Sequence, residues 1–372
     1  MDIPWIIGEH TKVKHELLKK YISPWMKILF NNQERYGYSG RVLYFDGFAG
    51  PGLYFTDNTQ KETCLGSPLI VAETANKYIK QNPKRKVFMY CIDNEKRCIE
   101  MLTKKLDESN KYSQQWNTYY ADFDSKINEL LDEIEKKGLT KQPMFFFIDP
   151  FGYSIHMNTL KRMLTYKRSE LFINFMIYEI VRMFREPTFE KIMRELFGTD
   201  EFKNVSTIRT PEKTQIYLVN LYCKNMKEIA NAKYVMPFRI NTPNMGRRPK
   251  YYLIHVSNHP IALKLMKDNM AKVSDSGYKF EAIGVRRETM DLFEDPYEVK
   301  IQKRILDFIK DKQNTHYDEV EEWAYSHTDG VSKSIKESLM ELEKQEKISI
   351  KRLERQRSNT VTSGAKISYL KD

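Results

Sequence analysis

Residues Tyr44–Gly52 read YFDGFAGPG, and this stretch decides the fold. An apolar strand, Arg41–Phe45, closes on Asp46, and Gly50 and Gly52 then turn the chain in a tight loop around Phe48. Glycines suit such a loop because a Cβ would hold the backbone away from a ligand at the carboxyl end of the strand. The acid precedes the glycines and no G-x-G-x-x-G is present, so the segment does not fit the nicotinamide fingerprint.

Outward from this loop, short apolar strands alternate with amphipathic helices. Further strands are expected at Lys86–Ile92, Thr118–Ala121, Met144–Ile148 and Leu171–Met176, with helices at 68–80, 95–107, 125–137 and 157–166 between them. Four of the strands are nearly continuous hydrophobic runs (VLYF, VFMYCI, MFFFI, LFINFMI), as a sheet covered on both faces requires. The pattern predicts an α/β fold with an open, mostly parallel, doubly wound Rossmann-like sheet. An opening helix is expected over 10–33, where Val13, Leu17, Leu18, Tyr21, Ile22, Trp25, Met26 and Leu29 recur at helical spacing. Residues 180–232 turn helical and charged and read as an insertion at the carboxyl edge. Lys233–Ile240 and Tyr251–Ser257 return as strands suited to an antiparallel end of the sheet.

Asp295–Pro296 reads as a boundary between a large domain, 1–295, and a small one, 296–372. The small one offers helical patterns at Tyr297–Ile309, Asp318–Ser326 and Ser332–Lys344, then β-like stretches at Ile348–Leu353 and Ala365–Leu370. Three helices and a terminal hairpin are the order of a winged helix-turn-helix.

The composition agrees with this plan. A chain of 372 residues, 41% hydrophobic and 13% aromatic, can bury two proper cores. No apolar run approaches the roughly 20 residues of a membrane span, and the N-terminus has no signal-peptide pattern. Cys64, Cys91, Cys98 and Cys223 form neither a disulfide framework nor a zinc motif, so no metal site and a cytoplasmic setting are expected. The net charge of +11 suggests a polyanionic partner. Residues 296–372 hold 15 Lys/Arg against 14 Asp/Glu, so nearly all of the excess lies in the large domain.

The pattern D-x-F-x-G-x-G at Asp46–Gly52 resembles motif I of S-adenosylmethionine-dependent methyltransferases, which cradles the methionine part of the cofactor. Asp93 ends the second strand, where an acid accepts the hydroxyls of an adenosine ribose. Asp122, followed by Phe123, ends the third, where a carboxylate can take a hydrogen bond from the adenine amino group. Each acid alone is an ordinary helix cap or loop residue; acids ending three successive strands, with glycines at the first, point to a cofactor. Asp124 is the expected plain N-cap of helix 125–137. The fourth strand ends in Asp149-Pro150-Phe151-Gly152, which resembles motif IV of methyltransferases acting on exocyclic amino groups. There the carboxylate accepts a hydrogen bond from the target amine, and an aromatic ring, here Phe151 or Tyr153, packs on the base. The tetrapeptide is closer to that of tRNA guanine-N2 methyltransferases than to the adenine-N6 signature D-P-P-Y. The absence of a Pro-Cys dipeptide argues against C5-pyrimidine chemistry.

Taken together the motifs resemble the three-Cys-motif partner family. The resemblance runs from E-H-T-x-x-K (Glu9, His10, Thr11, Lys14) through YFDGFAGPG, GSPL and IDPFG to the winged helix, nearly the full chain. It implies a class I methyltransferase fold and S-adenosylmethionine bound by Asp46, Gly50, Gly52, Asp93 and Asp122. It also implies a methyl acceptor at Asp149–Gly152 and a radical-SAM-like partner bearing three cysteines. Ser67 is expected to cap the helix that Pro68 begins. Asn174, polar within an apolar strand, either orients a base or is a hydrogen-bonded buried amide. Phosphate contacts are expected from Arg247, Arg248 and Lys250, and in the small domain from Lys333, Lys336, Arg352 and Arg355. Two other functions stay open: a non-catalytic subunit that binds cofactor or nucleic acid, and a winged-helix DNA-binding regulator.

Overall fold

In the computed structural model, residues 4–109, 115–150, 152, 155–184, 186–240, 250–274, 280–282 and 297–370 are described. The strands of the large unit are β1 (Arg41–Asp46), β2 (Leu53–Phe55), β3 (Thr63–Leu65), β4 (Lys86–Asp93), β5 (Gln115–Tyr120), β6 (Met144–Ile148), β7 (Ser169–Phe175), β8 (Tyr234–Ile240), β9 (Tyr251–Ser257) and β10 (Phe280–Ala282). Eight of them form one sheet in the order β5-β4-β1-β6-β7-β9-β8-β10; β2 and β3 pair as a separate hairpin. The five strands from β5 to β7 are parallel, and β9, β8 and β10 continue the sheet antiparallel. The chain winds from β1 outward to β4 and β5, then crosses back to β6. The switch point of the topology therefore lies between β1 and β6, the crevice where open α/β sheets bind ligands.

Successive strand residues face opposite layers. Val42, Tyr44, Phe145 and Phe147 pack with α1 (Glu9–Arg35), α2 (Ser67–Gln81) and α3 (Lys96–Ser109). Leu43, Phe45, Phe146 and Ile148 pack with α4 (Phe123–Lys136), α5 (Met157–Leu164), α6 (Ile177–Met183), α7 (Glu190–Phe197) and α8 (Pro211–Glu228). This two-sided burial is why the strands read as unbroken apolar runs. Helices α6 to α8 make the insertion before β8. A helix that the reading above does not contain, α9 (Pro260–Ser274), returns to the α1 side and places Leu263, Met266 and Met270 in that core. Helix α1 is tied to β7 at its middle. Tyr21 Oη and Trp25 Nε1 both donate to Glu170, the indole at 2.9 Å, and His255 Nε2 lies 3.4 Å from the same carboxylate.

The expected boundary at 295–296 falls outside the described residues. Beyond it stand α10 (Tyr297–Lys312), β11 (Asn314–His316), α11 (Tyr317–His327), α12 (Ser332–Lys344), β12 (Ile348–Lys351) and β13 (Lys366–Tyr369), the strands paired antiparallel as β11-β13-β12. This unit is fastened to α9. Lys267, 1% exposed, donates to the carbonyls of Tyr325 at 2.9 Å and Thr328 at 2.7 Å. The neighbouring Asp268 accepts from Tyr325 Oη at 2.7 Å and from the Ser332 amide at 3.0 Å. The amino end of α12 is thus engaged with α9, and Ser334 in its first turn is buried with its hydroxyl bonded to Val331. No described helix is long and apolar enough to cross a membrane.

Candidate active site at the carboxyl rim of the sheet

The register of the parallel strands brings four acids to one rim. Asp46 ends β1 opposite Phe147 of β6, two residues before Asp149, and Asp93 ends β4 opposite Tyr120, two residues before Asp122. Asp93 shapes the glycine loop. Its Oδ2 accepts from the Gly50 amide and its Oδ1 from the Glu95 amide, both at 2.8 Å, and each oxygen keeps a lone pair for a further donor. Gly50 and Gly52 have φ of +61° and +79°, the left-handed region that favours glycine. Their neighbours are protein atoms. A Cβ would meet Tyr54 Oη at Gly50 and Leu102 Cδ1 at Gly52, so side-chain packing as well as the backbone angle disfavours a larger residue. Phe48 packs on Phe123 with ring centroids 5.0 Å apart, making an apolar wall beside the loop.

Two expected caps are placed differently. Asp122, not Asp124, caps α4, accepting from the Ser125 amide at 3.1 Å, because the helix begins two residues earlier, at Phe123. Asp124 instead accepts the Thr159 hydroxyl and lies 3.3 Å from His156 Nδ1. The cap residue of α2 is Gly66, whose amide donates to the Gly52 carbonyl at 2.6 Å; this close approach pushes Ser67 into the first turn, toward Asp46.

Asp46 is fully buried. One carboxylate oxygen accepts from Tyr44 Oη at 2.8 Å, and the other has no hydrogen-bond partner among the described residues. Burial raises its pKa to about 7, and the charge of Asp149 adds to the rise; the nearby Ser67 hydroxyl, Tyr44 and the Phe48 amide oppose it. Tyr54 of β2 is held neutral by burial and by the carboxylates of Asp149, Asp46 and Asp93, which together push its phenol well above the usual range. His15 is buried beside Tyr54, ring centroids 5.7 Å apart, and burial lowers its pKa to about 4, so the imidazole is neutral at neutral pH.

Asp149 is held from two sides. Lys14 Nζ lies 2.6 Å from both of its oxygens, and Asn174 Nδ2 donates to Oδ1 at 2.7 Å. Asn174 is 4% exposed, and its own carbonyl oxygen has no hydrogen-bond partner among the described residues. The site thus presents a fixed carboxylate beside a buried, unfilled amide acceptor, the complement of a group with two N–H donors. Pro150 is buried and Gly152 has φ +132°, with no atom of the described residues within 4 Å of where a Cβ would stand. Phe151, Tyr153, Arg247, Arg248 and the side chain of His10 lie outside the described residues. Lys250 is half-buried, and its carbonyl accepts from the Tyr178 amide at 3.2 Å.

The sequence reading gave Lys14, His15 and Tyr54 no role. A signal was present for Lys14, a cation on the apolar face of α1 among Val13, Leu17 and Leu18. In the small unit the expected phosphate contacts divide. Lys333 is exposed, 3.9 Å from Glu337, Lys336 is half-buried and Arg355 exposed. Arg352 is occupied by the fold: it pairs with Glu343 at 2.5 Å and donates to the Thr360 carbonyl at 2.8 Å, clasping the β12–β13 connection to α12.

The strand order, the glycine loop at β1 and the acids along the rim define a class I methyltransferase-like fold. No family model and no curated protein matches the chain. Among solved structures it is similar to protein LPL1258 of Legionella pneumophila, with 13% identity over 72% of this chain and 96% of that one and a TM-score of 0.41. Human methyltransferase-like protein 13 in complex with SAH shares 11% identity over 77% and 97% of the two chains, with a TM-score of 0.35. The bifunctional kinase-methyltransferase WbdD shares 12% over 68% and 40%, with a TM-score of 0.32.

Proposed function

We propose that the chain is an S-adenosylmethionine-dependent methyltransferase acting on a nitrogen of a nucleobase in nucleic acid. The observation that carries this reading is the pairing, across the β1–β6 crevice, of the Asp46–Gly52 loop with a carboxylate and an unfilled amide acceptor at Asp149 and Asn174. The residues present fit the cofactor: Asp46 has a free buried oxygen, and Asp93 keeps lone pairs for the ribose. Asp122 stands on the same rim with one oxygen on its cap bond. When bound, S-adenosylmethionine supplies an electrophilic methyl group. The chain's own part is alignment. Asp149 and Asn174 Oδ1 accept the two N–H bonds of an exocyclic amine, which aims the nitrogen lone pair into the crevice, and Asp149 can receive the proton released. Lys14, within 2.6 Å of both of its oxygens, holds Asp149 in place.

Purified protein incubated with methyl-labelled S-adenosylmethionine and single- and double-stranded DNA and RNA tests the reading. Label in nucleic acid supports it; cofactor binding with no transfer to any of them overturns it in favour of a non-catalytic subunit. Asp93→Ala is expected to weaken S-adenosylhomocysteine binding by about 10- to 100-fold in calorimetry, since the Gly50 and Glu95 amides lose their acceptor. Asp46 gives a pH signature. A cationic sulfonium favours its ionised form, so binding below pH 7 must release a proton. Affinity for S-adenosylmethionine, relative to uncharged S-adenosylhomocysteine, is therefore expected to rise between pH 6 and pH 8. A constant ratio across that window would contradict the placement of Asp46.

The small unit has the order of a winged helix, and we read it as a module fastened to the catalytic unit through Lys267 and Asp268. Partnership with a radical-SAM-like protein bearing three cysteines stays part of the proposal through the motif resemblance; co-purification with such a protein tests it.

A further inference from the structure

The amino edge of the sheet, opposite the rim just described, carries a second concave surface. It is a cavity of about 900 Å³ between the turn before β1 and the loops that enter β6 and β7. Four of its eleven lining residues are cations, Arg41, Lys141, Lys167 and Arg168, and none is acidic. Among the described residues none of the four has a carboxylate within ion-pair distance, whereas Arg162, on the same side of the molecule, is satisfied by Asp132 and Glu135. Helix ends account for little of this. The C-termini of α1, α4 and α5 point to this edge, but Arg35, Lys136 and Arg162 already occupy their last turns, and the dipole effect fades beyond the last turn.

Two tyrosines flank the cations. Tyr36 and Tyr38 are 73% and 70% exposed, unusual for such large rings, and Tyr38 lines the cavity. The turn that presents them is pre-formed. The amides of Tyr36 and Tyr38 both donate to the Gln33 carbonyl, and Gly37 between them takes φ +76°. The Gln33 side chain then grips the backbone of Arg41 on both sides, at 2.5 Å and 2.9 Å. The backbone that presents the rings is therefore fixed in advance, so only their side-chain rotations remain to be ordered on binding.

Unpaired cations in a groove beside exposed aromatic rings are what a single nucleic-acid strand needs: phosphates for the charges, base faces for the rings. A duplex would offer its phosphates but keep its bases from the tyrosines. We infer that the amino-edge cavity binds a single-stranded segment of nucleic acid, with phosphates at Lys141, Lys167 and Arg168 and a base stacked on Tyr38. The inference rests on the nucleic-acid reading above and deepens it. The five residue steps of β1 separate the two edges by roughly 16 Å, so the segment held here is not the methylated nucleotide but a flanking one.

The test is fluorescence anisotropy with a labelled oligouridylate of about 16 nucleotides and with the matching duplex, in the presence of S-adenosylhomocysteine. The full-length protein is compared with Lys167→Glu/Arg168→Glu, Lys141→Glu and Tyr36→Ala/Tyr38→Ala. Wild type is expected to prefer the single strand. The double charge reversal should weaken it at least about ten-fold and flatten the slope of log affinity against log salt by more than about 1. The tyrosine pair should weaken single-strand binding about ten-fold and leave duplex binding unchanged. Calorimetry with S-adenosylhomocysteine checks that each variant is folded. Variants that hold the cofactor and bind the single strand like wild type overturn this inference alone. A wild type that binds cofactor but no nucleic acid of either form overturns the acceptor assignment with it. Displacement by polyglutamate with silent tyrosines would mark the cavity as a dock for acidic protein and also overturn it.

Discussion

Asp149→Ala is expected to lower methyl transfer by about 10²–10⁴-fold while leaving S-adenosylhomocysteine affinity within a few-fold of wild type. The carboxylate is met by Lys14 and Asn174, not by the glycine loop, so its loss falls on the acceptor side of the crevice. Rapid quench with labelled cofactor gives the rate and calorimetry the affinity. Asp149→Asn separates charge from shape: it keeps an acceptor oxygen but loses the anion that draws the amine proton. It should recover only a small part of the rate. A variant of either kind with wild-type turnover would remove Asp149 from the chemistry.

Lys14→Met is expected to damage both stability and rate. Lys14 and Asp149 are 9% and 15% exposed at the side chain, so removing the ammonium leaves a carboxylate in a site built for a pair. Breaking a buried pair on one side costs about 3–5 kcal/mol, which urea unfolding would read as a lowered midpoint. The double variant Lys14→Met/Asp149→Asn has no orphaned charge and is expected to regain most of that stability and none of the activity. If the single variant unfolds like wild type, the pair is screened by solvent and Lys14 has no hold on Asp149.

The large unit was legible because its strands are buried on both faces and its acids sit where strands stop. VLYF and MFFFI need no alternation to be recognised, and the strand–acid–glycine sequence at Asp46 locates the crevice. Helix α9 went unread although its apolar residues keep helical spacing; Lys264, Lys267 and Asp268 interrupt the pattern, and all three fasten the small unit, Lys264 through an ion pair with Glu321. The helix starts at α2 and α4 are displaced by one or two residues for different reasons: the approach of Gly66 to Gly52 sets the first, and at the second two acids, Asp122 and Asp124, could each cap and the earlier one does. The Lys14–Asp149 pair could not be read from local sequence at all. It joins residues 135 apart, and only the packing of α1 across the sheet brings them together.

That separation also orders events during synthesis. At about 5–20 residues per second, the ribosome makes Lys14 about 7 to 27 seconds before Asp149 exists to meet it. Through that interval the first helix carries its greasy flank and its one inward ammonium without a sheet to lie on. The ion pair that anchors the acceptor carboxylate can therefore close only once β6 has been made.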